Sequence, residues 1–301
     1  MKNKNFLALF FMFFYTCNAL AAGIDANPDK RGWHIELKRF SADFSSTSIQ
    51  GQKEYEEFSD SRISGDSQLI AQGNFNFGLD FYAPRYVVFN SIFAEYGRTI
   101  LIRDNERITN TMVDRIILST DYTHRIWYVP SFVGGFEVGP FGKASYQSGF
   151  ENKQKITRLS AGAKLFDGIY LKDFSVSGFA EENFTENISA ASYGWEGRIN
   201  IEYKINEDSK FSYYTNLRHY LYSSTPDTYN PLYQLEVEIR LDTKLYNKLA
   251  IAPFVKYYAL QGRHISKLGS NLFIGFSLSL KHTFVDATKR QNYNSLTKTT
   301  P

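Results

Sequence analysis

From Ala71 to Tyr82 the chain reads AQGNFNFGLDFY. Ala71, Gly73, Phe75, Phe77, Leu79 and Phe81 alternate with Gln72, Asn74, Asn76, Gly78, Asp80 and Tyr82. A period of two puts these sets on opposite faces of an extended strand. The rhythm recurs. In YQLEVEIRLD, Tyr233, Leu235, Val237, Ile239 and Leu241 alternate with Gln234, Glu236, Glu238, Arg240 and Asp242. In GWEGRINIEYKI, Trp195, Gly197, Ile199, Ile201, Tyr203 and Ile205 alternate with Glu196, Arg198, Asn200, Glu202 and Lys204. KFSYYTNLRHYL, KLAIAPFVKYYA and NLFIGFSLSL repeat it with interruptions. Each predicts a strand with one apolar and one polar face.

Tight polar breaks occur at Ala83-Pro84-Arg85, His124-Arg125, Phe166-Asp167-Gly168, Asn206 to Ser209 and Leu245 to Asn247. Their spacing of about 40 residues holds two long strands and a loop. Longer polar connections are expected around 45–66, 103–108, 139–155, 183–192, 223–230 and 262–270, with glycines and Pro140 blurring the strand edge at 139–155. Short turns at one end, long loops at the other and six hairpins predict an all-β fold. The expected fold is a transmembrane antiparallel up-and-down β-barrel of about twelve strands. Several runs exceed the 3–10 residues usual for a soluble sandwich, and closure disposes of exposed edges. Aromatics near the turns are expected at the lipid headgroups: Tyr82, Tyr86, Trp127, Tyr128, Phe166, Tyr170 and Tyr246.

The N-terminus sharpens the address. Lys2 and Lys4 precede the apolar FLALFFMFFY, and Ala19-Leu20-Ala21 offers small residues for cleavage. Residues 1–21 read as a cleavable signal peptide, residues 22–284 as the barrel and residues 285–301 as a polar tail. Cys17 is the only cysteine, so a processed chain has no disulfide and no Cys-ligated metal site. Removing the leader lowers the formal charge from +3 to +1. That balance, with no basic aromatic-interleaved patch, gives no case for nucleic acid. No later apolar run is long enough for a transmembrane helix.

Gly275-Phe276-Ser277-Leu278-Ser279-Leu280 resembles the C-terminal insertion signal of bacterial outer-membrane β-barrel proteins. The resemblance implies the outer membrane as location, membrane lipid as partner, and the barrel-assembly machinery as reader of Gly275, Phe276, Leu278, Leu280 and Phe284. Here VDATKRQNYNSLTKTTP follows Phe284, where that signal normally ends the chain. Tyr96-Gly97 and Asp114-Arg115 are similar to one hairpin of the salt-induced outer-membrane protein family, a resemblance that implies no chemistry.

For function, parity places Glu196, Arg198, Glu202 and Lys204 on one lumen-facing strand, Asn216 and Arg218 on the next, and Glu236, Glu238, Arg240 and Asp242 on the third. Opposite charges on neighbouring strands brace a narrow interior or line a path for a small polar solute. Their mixed signs predict no strong ion preference. The expected role is therefore a passive pore or an envelope-structural protein, without cofactor.

Two other classes compete. His264-Ile265-Ser266 resembles the H-x-S pair of outer-membrane phospholipases and lipid A deacylases, with the histidine as base for the serine. Lys267 stands where that motif has asparagine, and parity points the pair away from lipid. Alternatively, long loops such as 45–66 serve surface contact. His34, His124, His219, His264 and His282 lack metal-ligand spacing. The sequons at Asn183 and Asn187 read as ordinary loop polarity.

Overall fold

The computed structural model describes residues 30–55, 61–64, 69–103, 106–130, 135–151, 155–185, 188–225 and 230–289. The expected export segment 1–21 and the tail beyond 289 lie outside the described residues. Twelve long strands form the wall: β1 (Lys30–Gln50), β2 (Leu69–Tyr82), β3 (Tyr86–Arg103), β4 (Glu106–His124), β6 (Phe136–Ser148), β7 (Lys155–Phe166), β8 (Leu171–Thr185), β9 (Ile188–Lys204), β10 (Ser209–Ser223), β11 (Pro231–Tyr246), β12 (Leu249–Gly262) and β13 (Gly269–Val285). Short strands β5 (Trp127–Val129) and β14 (Thr288–Lys289) lie against β6 and β1. Neighbouring strands pair antiparallel in chain order, and β13 returns to β1 from Ile35↔Val285 to Gln50↔Ser270. The sheet closes on itself as an up-and-down barrel.

The faces are inverted relative to a water-soluble protein. Leu159 is 60% and Ile274 55% exposed, whereas Glu95 and Arg240 are each 1% exposed. Apolar side chains cover the outside and charged ones fill the inside, as hydrocarbon outside the wall requires. Phe75, Phe77, Leu79 and Phe81 of the first-quoted stretch belong to the face opposite buried Asn74 and Asp80, and so face outward.

The turns match the expected breaks, with Asp167 and Asn247 in the left-handed region at φ 59° and 50°. The loops match less well. Arg103 pairs directly with Glu106 and Thr185 with Ile188, so in place of the long connections expected at 103–108 and 183–192 the paired strands themselves extend through these segments. β6 runs through Gly139 and Pro140. A Cβ on Gly139 would lie 1.6 Å from the His124 carbonyl oxygen, so only glycine lets the end of β4 cross there.

The aromatic expectation needs a correction. Tyr86 stacks on Tyr122, and Tyr170 lies against Tyr203, on the outside. Tyr82 and Phe166 instead face inward and pack with Val87, Phe89 and Ala287. Proximity to a turn does not determine which face a side chain takes. Ala287 reaches this cluster because the chain after β13 continues along the edge of β1, pairing Thr288 with Arg31 and Lys289 with Lys30. The last strand therefore reaches Val285, and the next four residues are folded against the rim.

At the loop end, a latch holds the β6–β7 connection to the outside of β3 and β4. Glu151 accepts hydrogen bonds from Tyr96 and Thr111, each at 2.6 Å, and pairs with Arg98. Asp114 accepts from the Phe150 and Glu151 amides, while Phe150 packs edge-on against Tyr96.

Two outcomes follow. A Cβ on Gly275, at the closing seam, would meet the Phe44 carbonyl oxygen at 2.1 Å and Ser45 Cα at 2.7 Å, both backbone atoms that cannot swing aside. Gly275→Ala is expected to cost about 1–3 kcal/mol, read from the urea midpoint in detergent micelles; an unmoved midpoint refutes the crowding. The hydrogen bonds from Thr111 and Tyr96 and the Arg98 pair hold the Glu151 carboxyl down at about 2. A carboxyl depressed on folding contributes stability above its ordinary pKa and loses it as pH falls through the lowered value. Hydrogen exchange of the 149–151 backbone should thus stay slow from about pH 7 to about pH 4 and rise only near pH 2, with Glu151→Gln fast throughout.

Candidate functional site

The candidate site is the lumen. Its centre is a charge cluster that spans the bore. Glu95 on β3 is flanked by Arg115 on β4 and by Lys256 on β12, the latter at 3.3 Å. Glu236 on β11 accepts from Arg115 at 3.0 Å and lies 3.5 Å from Lys256 and from Arg62. The β3–β4 pair and the β11–β12 pair are separated by β2, β1 and β13 on one side and by β6 to β10 on the other. These contacts therefore bridge opposite arcs of the wall. Gln72 extends the network to Asn74 (2.9 Å) and Asn74 to Asp43 (2.6 Å).

A backbone irregularity supplies another bridge. β1 slips register between Leu37 and Arg39, and a bulge of this kind re-aims consecutive side chains. Lys38 and Arg39 both turn inward: Lys38 approaches Asp80 at 3.8 Å, and Arg39 reaches Glu238 on β11 at 2.9 Å. Nearer the turns, Arg240 donates to Asp242 at 2.9 Å and to Ser279 at 3.0 Å, and Lys281 holds the other oxygen of Asp242 at 3.1 Å.

The opposite arc has its own cluster. Glu196 accepts from Arg218 at 2.7 Å and from Arg198 at 3.3 Å. Arg198 also lies 3.9 Å from Asp173, and Lys164 donates to Asp121 at 2.9 Å. Gln234 joins the arcs, accepting from Arg218 (3.1 Å) and donating to the Tyr258 hydroxyl (2.8 Å).

The first loop enters the lumen from the other end. Tyr55 and Ile63, both fully buried, pack with Tyr258 and Leu260 of the wall. The Tyr55 hydroxyl donates to the Lys267 carbonyl and accepts from the Gly262 amide. Asn271 donates to the Arg62 carbonyl at 2.7 Å, and the Arg62 guanidinium lies 3.7 Å from the Tyr258 ring centre before reaching Glu236. Beside it, Ile70, Val113, Phe254 and Phe273 form a buried apolar cluster from the inner wall.

All ten sequence-selected positions can now be placed. Glu196, Arg198 and Arg218 form one cluster on β9 and β10, while Glu236, Glu238, Arg240 and Asp242 lie on the adjacent strand β11. Asn216 is buried between Arg198 and Glu236 in the ladder. Glu202 and Lys204 lie at the turn-end mouth. Sequence reasoning missed Glu95, Arg115, Lys256, Arg39 and Arg62. Lys256 was the detectable one, a lone charge in the apolar AIAPFVKYYA. Of the residues similar to the salt-induced family, Asp114 and Tyr96 form the latch and Arg115 the central bridge.

His264 and Ser266 are both exposed on the 263–268 loop, and Lys267 between them and β13 pairs with Glu54. His219 faces outward, accepts from Trp195 at 2.8 Å and stacks on Tyr233. Among the described residues, no group of three or more His, Cys, Asp or Glu side chains could hold a metal ion.

A closed wall of twelve strands, apolar outside and ion-paired inside, defines an outer-membrane β-barrel protein, and the bacterial outer membrane is its solvent. The sequence matches no family model and no curated protein. Among solved structures it is similar to an outer membrane channel from Pseudomonas putida F1 (9% identity, 87% of this chain and 98% of that one, TM-score 0.46). It is also similar to outer membrane phospholipase A from Escherichia coli (10%, 81% and 98%, 0.42) and to the translocator domain of the autotransporter NalP from Neisseria meningitidis (11%, 92% and 97%, 0.35). Likenesses this loose assign no activity.

Removing one carboxylate of the central cluster leaves its cations sharing the other. Glu95→Gln leaves Arg115 and Lys256 under-compensated and is expected to cost about 3–5 kcal/mol in detergent-micelle unfolding. Adding Lys256→Met should recover part of the loss. A Glu95→Gln variant within about 0.5 kcal/mol of the parent would refute the bridge.

Proposed function

We propose that this protein is a gated outer-membrane pathway for small polar solutes, shut in the present conformation by the first loop and the charge bridge beneath it. The observation that carries the reading is Arg62. It belongs to a loop, yet it lies within the lumen against Tyr258 and 3.5 Å from Glu236. A barrel built only as a scaffold has no need of a loop residue in its central charge cluster. The polar inner wall supports a hydrated path, and the mixed signs of its pairs suit small solutes over a single ion type.

Arg62 is also the weakest tie in the cluster. Its carboxylate partner is held by Arg115 and Lys256 without it, so withdrawal of the loop leaves Glu236 compensated. Opening thus costs less than breaking the bridge itself.

Single-channel recording in planar bilayers tests this. The parent barrel should show rare, brief steps, and Arg62→Ala should raise open probability about tenfold, the result of losing about 1.4 kcal/mol from the closed state. Continuous conductance indifferent to Arg62→Ala would remove the gate. Silence from both would leave the envelope-structural role in its place.

A further inference from the structure

The turn-end mouth differs in charge from the balanced lumen above it. A basin of about 650 Å³ opens there, lined by Lys172, Lys204, Lys210, Lys244, Lys248 and Lys281 against Glu202, Glu207, Asp208 and Asp242. Three lysines have carboxylate partners: Lys210 with Glu202 at 2.7 Å, Lys281 with Asp242 at 3.1 Å and, loosely, Lys244 with Asp208 at 3.9 Å. Lys172 donates to the Gly168 carbonyl, and Lys248 lies 3.3 Å from His282. Lys204 has no carboxylate partner among the described residues.

The ladder adds a second, independent feature. Lys204 and Lys210 are directly opposite each other on β9 and β10, on the inward face. Like charges at facing positions are destabilising, and neighbouring turn residues offer ample polar alternatives. Glu202 offsets Lys210, so Lys204 is the charge of this pair that a bound anion would compensate.

We propose that the basin binds small phosphate- or carboxylate-bearing solutes at the mouth of the pathway. The inference deepens the pathway reading and rests on it for its purpose, since it names the solute class. Lysines suit this task as point charges on flexible stems that adapt to several anions. The inward orientation of Lys204, Lys210 and Lys281 means that this part of the basin is wetted from the periplasmic side of the bore and not from the bilayer, so a free solute is the occupant in preference to a lipid headgroup.

Calorimetric titration of the folded barrel with inorganic pyrophosphate tests the site without requiring conduction. Saturable binding is expected in phosphatidylcholine nanodiscs. Lys204→Gln with Lys248→Gln should weaken it at least tenfold, because neither change orphans a carboxylate, while Lys53→Gln in the opposite, loop-end region leaves it unchanged. Heat-modifiable migration verifies that the double variant is folded. No saturable binding, or equal binding in the double variant, overturns the basin. Loss of pyrophosphate binding when phosphatidylglycerol is added to the disc overturns the free-solute assignment. A barrel that binds pyrophosphate but never conducts would keep the basin and overturn the pathway; one that conducts without binding would do the reverse.

Discussion

Hydrocarbon offers no partner for a backbone amide or carbonyl, and the closure of β13 onto β1 answers that constraint. Without this seam, two strands would face lipid with unpaired ladders. With it, every wall strand has a neighbour on both sides, and the outside is free to be as apolar as Leu159, Ile274 and Phe276 make it. The same closure decides where charge goes. A twelve-strand bore is narrow, so residues kept from lipid are crowded together, and burying a charge without a partner is costly.

The interior follows from that crowding. Glu95 and Glu236 each have more than one cation nearby, and Arg115 and Lys256 each serve both carboxylates. Shared pairing of this type tolerates the loss of a contact better than isolated pairs, because each charge keeps another neighbour. It also links distant strands. Arg39 to Glu238 and Arg115 to Glu236 tie β1 and β4 to β11 across open space that the ladder itself does not span. Removed from bulk solvent, such pairs are screened by salt far less than those at the rims.

The wall was legible in the sequence because one period of two carries both strand and face. Parity alone placed Glu196, Arg218, Glu236 and Arg240 on the polar side. It could not place them around the circumference, and the central bridge depends on which strands face each other across the bore. Hence Glu95 and Arg115, in a hairpin far from β11 in sequence, went unselected. Arg39 was hidden for a different reason, since a bulge breaks the parity that would have read it. Arg62 lies on the single helical turn Ser61–Ser64 between β1 and β2, too short to show a period. Tyr82 and Phe166 show the converse error, where nearness to a turn suggested the headgroup region although both rings point inward.

The two ends of the bore are chemically unlike, and this gives the barrel a direction. At the loop end the bore holds Tyr55, Ile63 and Arg62, tied to Gly262, Lys267 and Asn271 through backbone and side-chain hydrogen bonds. At the turn end it opens into a wet basin with more ammonium groups than carboxylates. Lys281 and Asp242 line that basin, and Asp242 also engages Arg240. Asp242 lies two inward-facing positions from Glu238 and the Arg39 bridge, with Arg240 between them. Alternate inward residues of β11, from Asp242 near the turn end through Arg240 and Glu238 to Glu236 in the central bridge, therefore form one line of ion-paired side chains along the bore.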